Sequence, residues 1–149
     1  MAAQAWKLYN VAKQNICNNT ISLAATTFHI ALYTSASNAA TLTLIHKGSL
    51  SNEVASGNGY SSSGKALTGE VWTVGASATQ YKFDVDDVVW TGTGGTIPNI
   101  KFAVIYATGA SAGASHLLCF ASLTSTQFTL AQNNTLTIQM ASGGVLTLV

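Results

Sequence analysis

Charged side chains are scarce in this sequence of 149 residues. Asp, Glu and Lys make up 7% of the chain, arginine is absent, and the formal net charge is +1. A protein that reads nucleic acid through its phosphates needs a stripe of basic residues, so the composition excludes that class. The chain is also 48% hydrophobic, which is the opposite of the signature of a disordered acidic tail.

Long apolar runs are missing as well. No stretch approaches the roughly 18 apolar residues that a transmembrane helix needs, so we predict no membrane span and no membrane partner. The first seven residues lack the basic start and the unbroken apolar segment of a signal peptide. We therefore expect the protein to remain inside the cell that makes it.

Cysteine is limited to Cys17 and Cys119, too few for a disulfide framework in a domain of this size. Cys119 lies in an apolar run, and Cys17 lies beside two polar asparagines at an expected helix end. We predict buried thiols rather than a bridge between the two.

Hydroxyl and amide side chains supply most of the polar surface. The sequence contains 15 serines, 19 threonines and 10 asparagines. A neutral surface of this kind, with little charge repulsion, is typical of a chain that packs against other chains.

The N-terminal segment carries the only helical periodicity. Apolar residues recur at spacings of three and four over the first sixteen residues, and Asn18 marks a stop. This spacing predicts a helix over 1–16, within an N-terminal arm of residues 1–17. Such a short helix is marginal alone, so we expect it to pack on the rest of the domain or on a neighbouring subunit.

Beyond residue 20 the apolar period changes from 3.6 to 2, which indicates strands. Strand candidates lie at 28–33, 41–46, 65–74, 78–85, 88–90, 99–108, 117–123, 128–130, 135–140 and 145–149. Loops rich in Gly, Ser and Asn separate them, including 51–64 with its Asn58-Gly59 turn signal and 109–113. The pattern predicts a single domain over 1–149, a mostly β fold of the antiparallel β-sandwich type, as a jelly roll or a related Greek key.

Titratable side chains form no recognisable catalytic motif. Asp84, Asp86 and Asp87 could approach one calcium ion, but the EF-hand pattern is absent, and a solvated or lysine-paired turn is the preferred interpretation. His29, His46 and His116 are isolated from one another in the sequence. We therefore predict no catalytic residues, no cofactor and no metal site, and a protein that is not an enzyme.

Aromatic residues allow two interpretations. Trp72, Trp90, Tyr60 and Tyr81 could form a platform on which a sugar stacks, whereas aromatic residues in strands more often belong to the core. Tyr60 is different because it lies in a loop of Gly and Ser, where it either anchors the loop or meets a partner.

Five short segments follow one another in a characteristic order: 28–34 (FHIALYT), 52–60 (NEVASGNGY), 64–67 (GKAL), 89–97 (VWTGTGGTI) and 102–106 (FAVIY). This order resembles that of small structural proteins of tailed bacteriophages, over roughly residues 5–108. The resemblance implies a capsid cement or decoration protein, with related sequences at tail or fibre positions, and it carries no catalytic motif. It also implies a place on the capsid surface of the virion after synthesis in the host cytoplasm.

Two functions follow from these observations. The first is a cement protein that binds across subunits of the major capsid protein and forms a homo-oligomer, with a trimer favoured. The second is a tail, fibre or baseplate module that binds a host glycan or another virion protein. The candidate partner contacts are Tyr60 and Asn58 in the loop, and Val145, Leu146 and Leu148 in a C-terminal strand that a partner strand would pair with. The alternative for Tyr60 is that it folds back and plugs the end of the sandwich.

Overall fold

A computed structural model describes residues 4–24, 26–108 and 115–149. Within these residues it contains eleven strands and one short α-helix, α1, together with a 3-10 turn at Lys47–Ser49. The mostly β prediction with a single short helix is confirmed. In chain order the elements are β1 (Lys7–Leu8), α1 (Asn10–Cys17), β2 (Thr27–Thr34), β3 (Lys65–Ala66), β4 (Val71–Val74), β5 (Tyr81–Asp84), β6 (Val88–Thr91), β7 (Ile97–Thr108), β8 (His116–Ser122), β9 (Phe128–Leu130), β10 (Thr135–Ile138) and β11 (Leu146–Leu148).

The strands of the described residues form three antiparallel sheets. The largest has six strands in the order β1-β8-β7-β2-β3, with β9 pairing the first part of β7. A three-stranded sheet has the order β11-β5-β4, and β6 pairs β10 in a two-stranded sheet. The two smaller sheets are nested along the chain, because β5 pairs with β11 and β6, which follows β5, pairs with β10, which precedes β11. The β-sandwich type, and with it the jelly-roll or Greek-key form, stays a prediction.

A single cluster of buried apolar residues joins the three sheets. Phe28 of β2 contacts Phe83 of β5, with ring centroids 5.0 Å apart. The central strand β7 is buried along most of its length, which agrees with its apolar residues on both faces. The six-stranded sheet therefore has β7 at its centre and packs against the three-stranded sheet through these aromatic rings.

The helix begins at Asn10, so the predicted start at the first residue is wrong. Tyr9 has an extended backbone, and its N–H donates to the carbonyl of Leu118 in β8. The edge of β8 offers backbone groups that need partners, and pairing with β1 satisfies them. A helix of so few residues is marginal even when the residues are good helix formers, so it cannot compete with these bonds. The expected packing of the helix is confirmed, because Ala12 is buried and α1 lies against β8.

Two predicted strands are also corrected. In the segment 41–46, residues 42 and 43 form a turn and only His46 bridges to β8. The chain from Gln4 to Tyr9, which includes β1, already bonds to the part of that edge from Leu118 to Ser122. The predicted strand 65–74 is divided into β3 and β4. Gly69 lies between them with φ +66, a conformation that a continuous strand does not adopt. The predicted turn at 109–113 lies outside the described residues.

Candidate interaction surface

Tyr60 is buried, so its predicted role as an exposed partner anchor is wrong. Its side chain is 2% exposed and its ring lies 6.4 Å from that of Trp90. The Leu32 N–H donates to the Tyr60 hydroxyl oxygen at 3.0 Å, and the hydroxyl donates to Glu53 Oε1 at 2.9 Å. Tyr60 therefore folds back on β2 and satisfies a backbone donor at the edge of that strand.

Glu53 fastens the loop 51–64 to the sheet. Its Oε2 lies 2.9 Å from Lys47 Nζ, which also donates to Ser63 Oγ at 3.1 Å. The hydroxyl of Tyr106 donates to the Ser63 carbonyl at 2.7 Å. Burial raises the pKa of Tyr60 above its ordinary value, and the Glu53 carboxylate adds to this rise. The loop is thus held by a network of polar contacts and does not reach out.

Asn58 is exposed and forms the turn that its Asn-Gly pair predicts. Its φ is +54, and its side-chain N–H donates to the carbonyl of Thr96 at 2.7 Å. The N–H of Thr93 donates to the carbonyl of Asn58 at 2.9 Å. These bonds fix Asn58 against the loop 92–96, and its role as a partner contact stays a prediction.

The C-terminal strand already has a partner within the chain. Strand β11 pairs with β5, and Leu146 lies opposite Phe83. Because β11 is an edge strand of its sheet, its pairing with a strand of a partner stays a prediction. Val145 is 5% exposed and Leu146 is 8% exposed, so these two side chains belong to the core. Burying these two apolar side chains in the core is favourable, so the side chains themselves are not available to a partner. Leu148 is different, because it is 49% exposed.

Leu148 belongs to a set of three neighbouring apolar side chains, which we call the apolar row: Val74, Tyr81 and Leu148. Val74 lies opposite Tyr81, and Tyr81 lies opposite Leu148, in the register of the three-stranded sheet. Their exposed fractions are 48%, 47% and 49%. Because side chains two residues apart share a face, the row continues the buried face of this sheet beyond the core. The end of the sheet is therefore an uncovered apolar surface.

The four aromatic residues considered for sugar binding divide into two pairs. Tyr60 and Trp90 are buried together, as core residues. Trp72 and Tyr81 stack with ring centroids 5.9 Å apart and planes 23° apart. Trp72 is half-buried and Tyr81 is exposed, so this second pair joins Trp72 to the apolar row through Tyr81.

A groove of about 450 Å³ lies beside the same sheet. Trp6 and Leu8 line one part of it, and residues of the segment 141–147 line the other. Strands β1 and β11 are edge strands of their sheets, so the groove lies where an edge of each sheet is open. Strand β11 contributes to this groove through Leu146 and Thr147, and to the apolar row through Leu148.

Sequence reasoning missed Val74, and it considered Tyr81 only as part of a sugar platform and not as part of an exposed apolar surface. Their alternation with polar neighbours predicts which face of a strand they occupy. It does not predict that the sheet extends past the core that it covers. That depends on the lengths of strands that pair over large distances in the chain, so no local signal identifies these residues as exposed.

Asp84, Asp86 and Asp87 each contact a different partner in the structure. Lys82 Nζ lies 2.7 Å from Asp84 Oδ2, whereas Asp86 accepts from Thr68 Oγ1 at 2.9 Å and Asp87 accepts from the Met140 N–H at 2.8 Å. Across the described part of the chain, no three His, Cys, Asp or Glu side chains lie close enough to hold one metal ion. The preferred interpretation, paired or turn-forming carboxylates, agrees with these contacts.

Both cysteines are free thiols, and the two differ in exposure. Cys119 is buried as predicted, and burial raises the pKa of its thiol. Cys17 is the last residue of α1 and is exposed, so its prediction as a buried thiol is wrong. The helix turns its other face to β8, which leaves this position in solvent.

Comparisons with known proteins gave no match, whether with protein-family models, with curated proteins or with solved structures. The resemblance to phage structural proteins therefore stays a prediction. Within 4–24, 26–108 and 115–149, no helix has the length and apolar character needed to cross a membrane.

Proposed function

We propose that this chain is a non-enzymatic virion structural protein of a tailed bacteriophage. More specifically, it is a capsid cement or decoration protein that binds across neighbouring major-capsid subunits and stabilises the head. The observation that carries the proposal is the apolar row, where three large side chains in direct register are each about half exposed. Contiguous exposed apolar surface of this kind marks interaction sites.

The scarcity of charge determines how such a protein holds its partner. With a net charge of +1, contact rests on apolar burial and hydrogen bonds rather than on ion pairs. Salt screens exposed charges and leaves apolar contact largely intact, so binding should depend little on ionic strength. A homo-oligomer, with a trimer favoured, presents the row in several copies, and modest contacts then add through multivalency.

The test is cosedimentation with bare heads of the tailed phage whose genome encodes the chain, at low and at high salt. We expect Tyr81→Ser and Leu148→Ser to weaken binding at least tenfold while circular dichroism stays unchanged. Val89→Ser is the matched control, because Val89 is 41% exposed but lies on β6, in a different sheet. Equal binding by parent and row variants, or release of the parent in moderate salt, would contradict the proposal.

One observation favours the second function, a tail, fibre or baseplate module that binds host glycan. The stacked Trp72 and Tyr81 rings present an aromatic surface beside the row, and sugars pack on such surfaces. A glycan array separates the two functions. Glycan binding that is lost in Tyr81→Ser, together with density for the chain on the tail of imaged particles, would favour this alternative over cement.

A further inference from the structure

The fold brings together two histidines that lie 70 positions apart in the sequence, His46 and His116. They face each other across an antiparallel bridge between the segment 45–47 and β8. Their imidazole centroids are 4.7 Å apart, with ring planes at 62°. The sequence, in which these histidines are isolated, predicted no metal site. From their meeting in the fold we propose that this pair is a binding site for a divalent transition-metal ion such as Zn²⁺, Ni²⁺ or Cu²⁺.

The hydrogen bonds on either side establish the type of pairing. The Lys47 N–H donates to the Ser115 carbonyl at 2.8 Å, and the Leu117 N–H donates to the Ile45 carbonyl at 2.9 Å. Bonds from these flanking residues make His46 and His116 a non-hydrogen-bonded pair. In such a pair the Cα atoms are closest and the two side chains lie side by side.

The ring separation fits shared coordination. Zinc binds imidazole nitrogen at about 2.0–2.1 Å, which places two ring centroids about 4.5–5.2 Å apart for ligand angles of about 90–109°. The observed 4.7 Å lies inside that interval. Imidazole suits Zn, Cu and Ni, and two protein ligands leave positions that water fills.

The Nδ1 atom of His46 adds to this geometry. It is buried, although the residue as a whole is only half-buried, and it has no hydrogen-bond partner. The Nδ1 atom of His29 is also buried without a hydrogen-bond partner, but the ring beside His29 is that of Tyr106 and not a second imidazole. A buried polar atom without a partner is unfavourable, and coordination to a metal ion supplies one. Lys47, which follows His46 in the sequence, forms an ion pair with Glu53, with Nζ and Oε2 2.9 Å apart.

The experiment is calorimetric titration of the protein with ZnCl₂ and with NiCl₂, followed by thermal unfolding with and without metal. It uses a Cys17→Ser background, because the exposed Cys17 thiol also binds soft metals. We expect one metal ion per chain. We also expect a rise in Tm of about 5–10 °C at a metal concentration of about one hundred times the Kd, reversed by EDTA.

The variants locate the site. His46→Ala and His116→Ala should each weaken binding at least tenfold, whereas His29→Ala is the matched control and should retain it. Because His116 is 6% exposed, its removal could unfold the protein. His46 is only half-buried, so the affinity of His46→Ala for the metal is the deciding measurement. No metal-dependent shift in the parent, or unchanged affinity in His46→Ala, would overturn the proposal.

Discussion

At the scale of single residues, tyrosine hydroxyls supply hydrogen-bond partners to backbone groups at a strand edge and in a turn. Tyr60 accepts from the Leu32 N–H at the edge of β2, and the Tyr9 hydroxyl donates to the Ala39 carbonyl at 2.6 Å. Each hydroxyl is carried by a ring that fills core volume, so one residue contributes both apolar burial and a polar contact. This arrangement suits a chain with few charged groups, because neutral donors and acceptors hold its loops to its sheets.

Removing the Tyr60 hydroxyl tests this arrangement. Tyr60→Phe keeps the ring but leaves the Leu32 N–H buried without its partner, which costs about 1–3 kcal/mol. We expect that loss in the free energy of unfolding, measured in urea. Tyr81→Phe, at a half-exposed ring, should change it by less than about 0.5 kcal/mol. Equal stabilities for the two variants would show that the edge contact contributes nothing.

At the scale of elements, strand edges decide where segments lie. Residues 7 and 8 pair with the free edge of β8 and therefore form a strand rather than part of the helix. The edge of β2 pairs with β3 and forms backbone hydrogen bonds with the loop 51–64. Close backbone approach accompanies this pairing. At Gly64, φ is +69, and an added Cβ would lie 1.8 Å from the Ile30 carbonyl oxygen.

Gly64→Ala should therefore displace the loop from β2. The substitution introduces both a clash with backbone and a strained φ, so we expect a loss of about 1–3 kcal/mol or more in stability. Gly48→Ala is the control, because a Cβ added there would have no atom within 4 Å and the φ of Gly48 is not positive. Thermal unfolding of the two variants checks this, and equal Tm values would contradict it.

At the scale of the whole molecule, ionisation of tyrosine is coupled to folding. Burial raises the pKa values of Tyr9, Tyr33, Tyr60 and Tyr106 above the ordinary value near 10. The unfolded chain therefore loses these protons at lower pH than the folded chain. Their contribution to stability is complete below about pH 10 and is lost as the pH rises through the folded values.

We predict alkaline unfolding on this basis. Above about pH 10 the free energy of unfolding should fall by up to about 1.4 kcal/mol per pH unit for each of the four tyrosines. Absorbance at 295 nm, followed together with circular dichroism, should show these phenols ionising only as the strands are lost. Complete ionisation of all five tyrosines with unchanged circular dichroism would contradict the prediction.

Local pattern determined much of the fold. Alternation of apolar and polar residues located β6 and β9 and most of β7 and β8, because burial of one or both faces shows in residues two apart. The Asn58-Gly59 turn followed from the ease with which both residues adopt positive φ. The mostly β class follows from the same signals, since only one short segment has helical spacing.

The tertiary structure alone decided what is exposed and what is brought together. Whether Tyr60 faces solvent depends on the open edge of β2, and whether Val74, Tyr81 and Leu148 are covered depends on how far one sheet extends past another. The meeting of His46 with His116 likewise requires a bridge between distant segments. Such contacts are set by long-range pairing, for which neighbouring residues in the sequence carry no signal, and so the composition predicts an interaction protein while only the fold shows which surface is available.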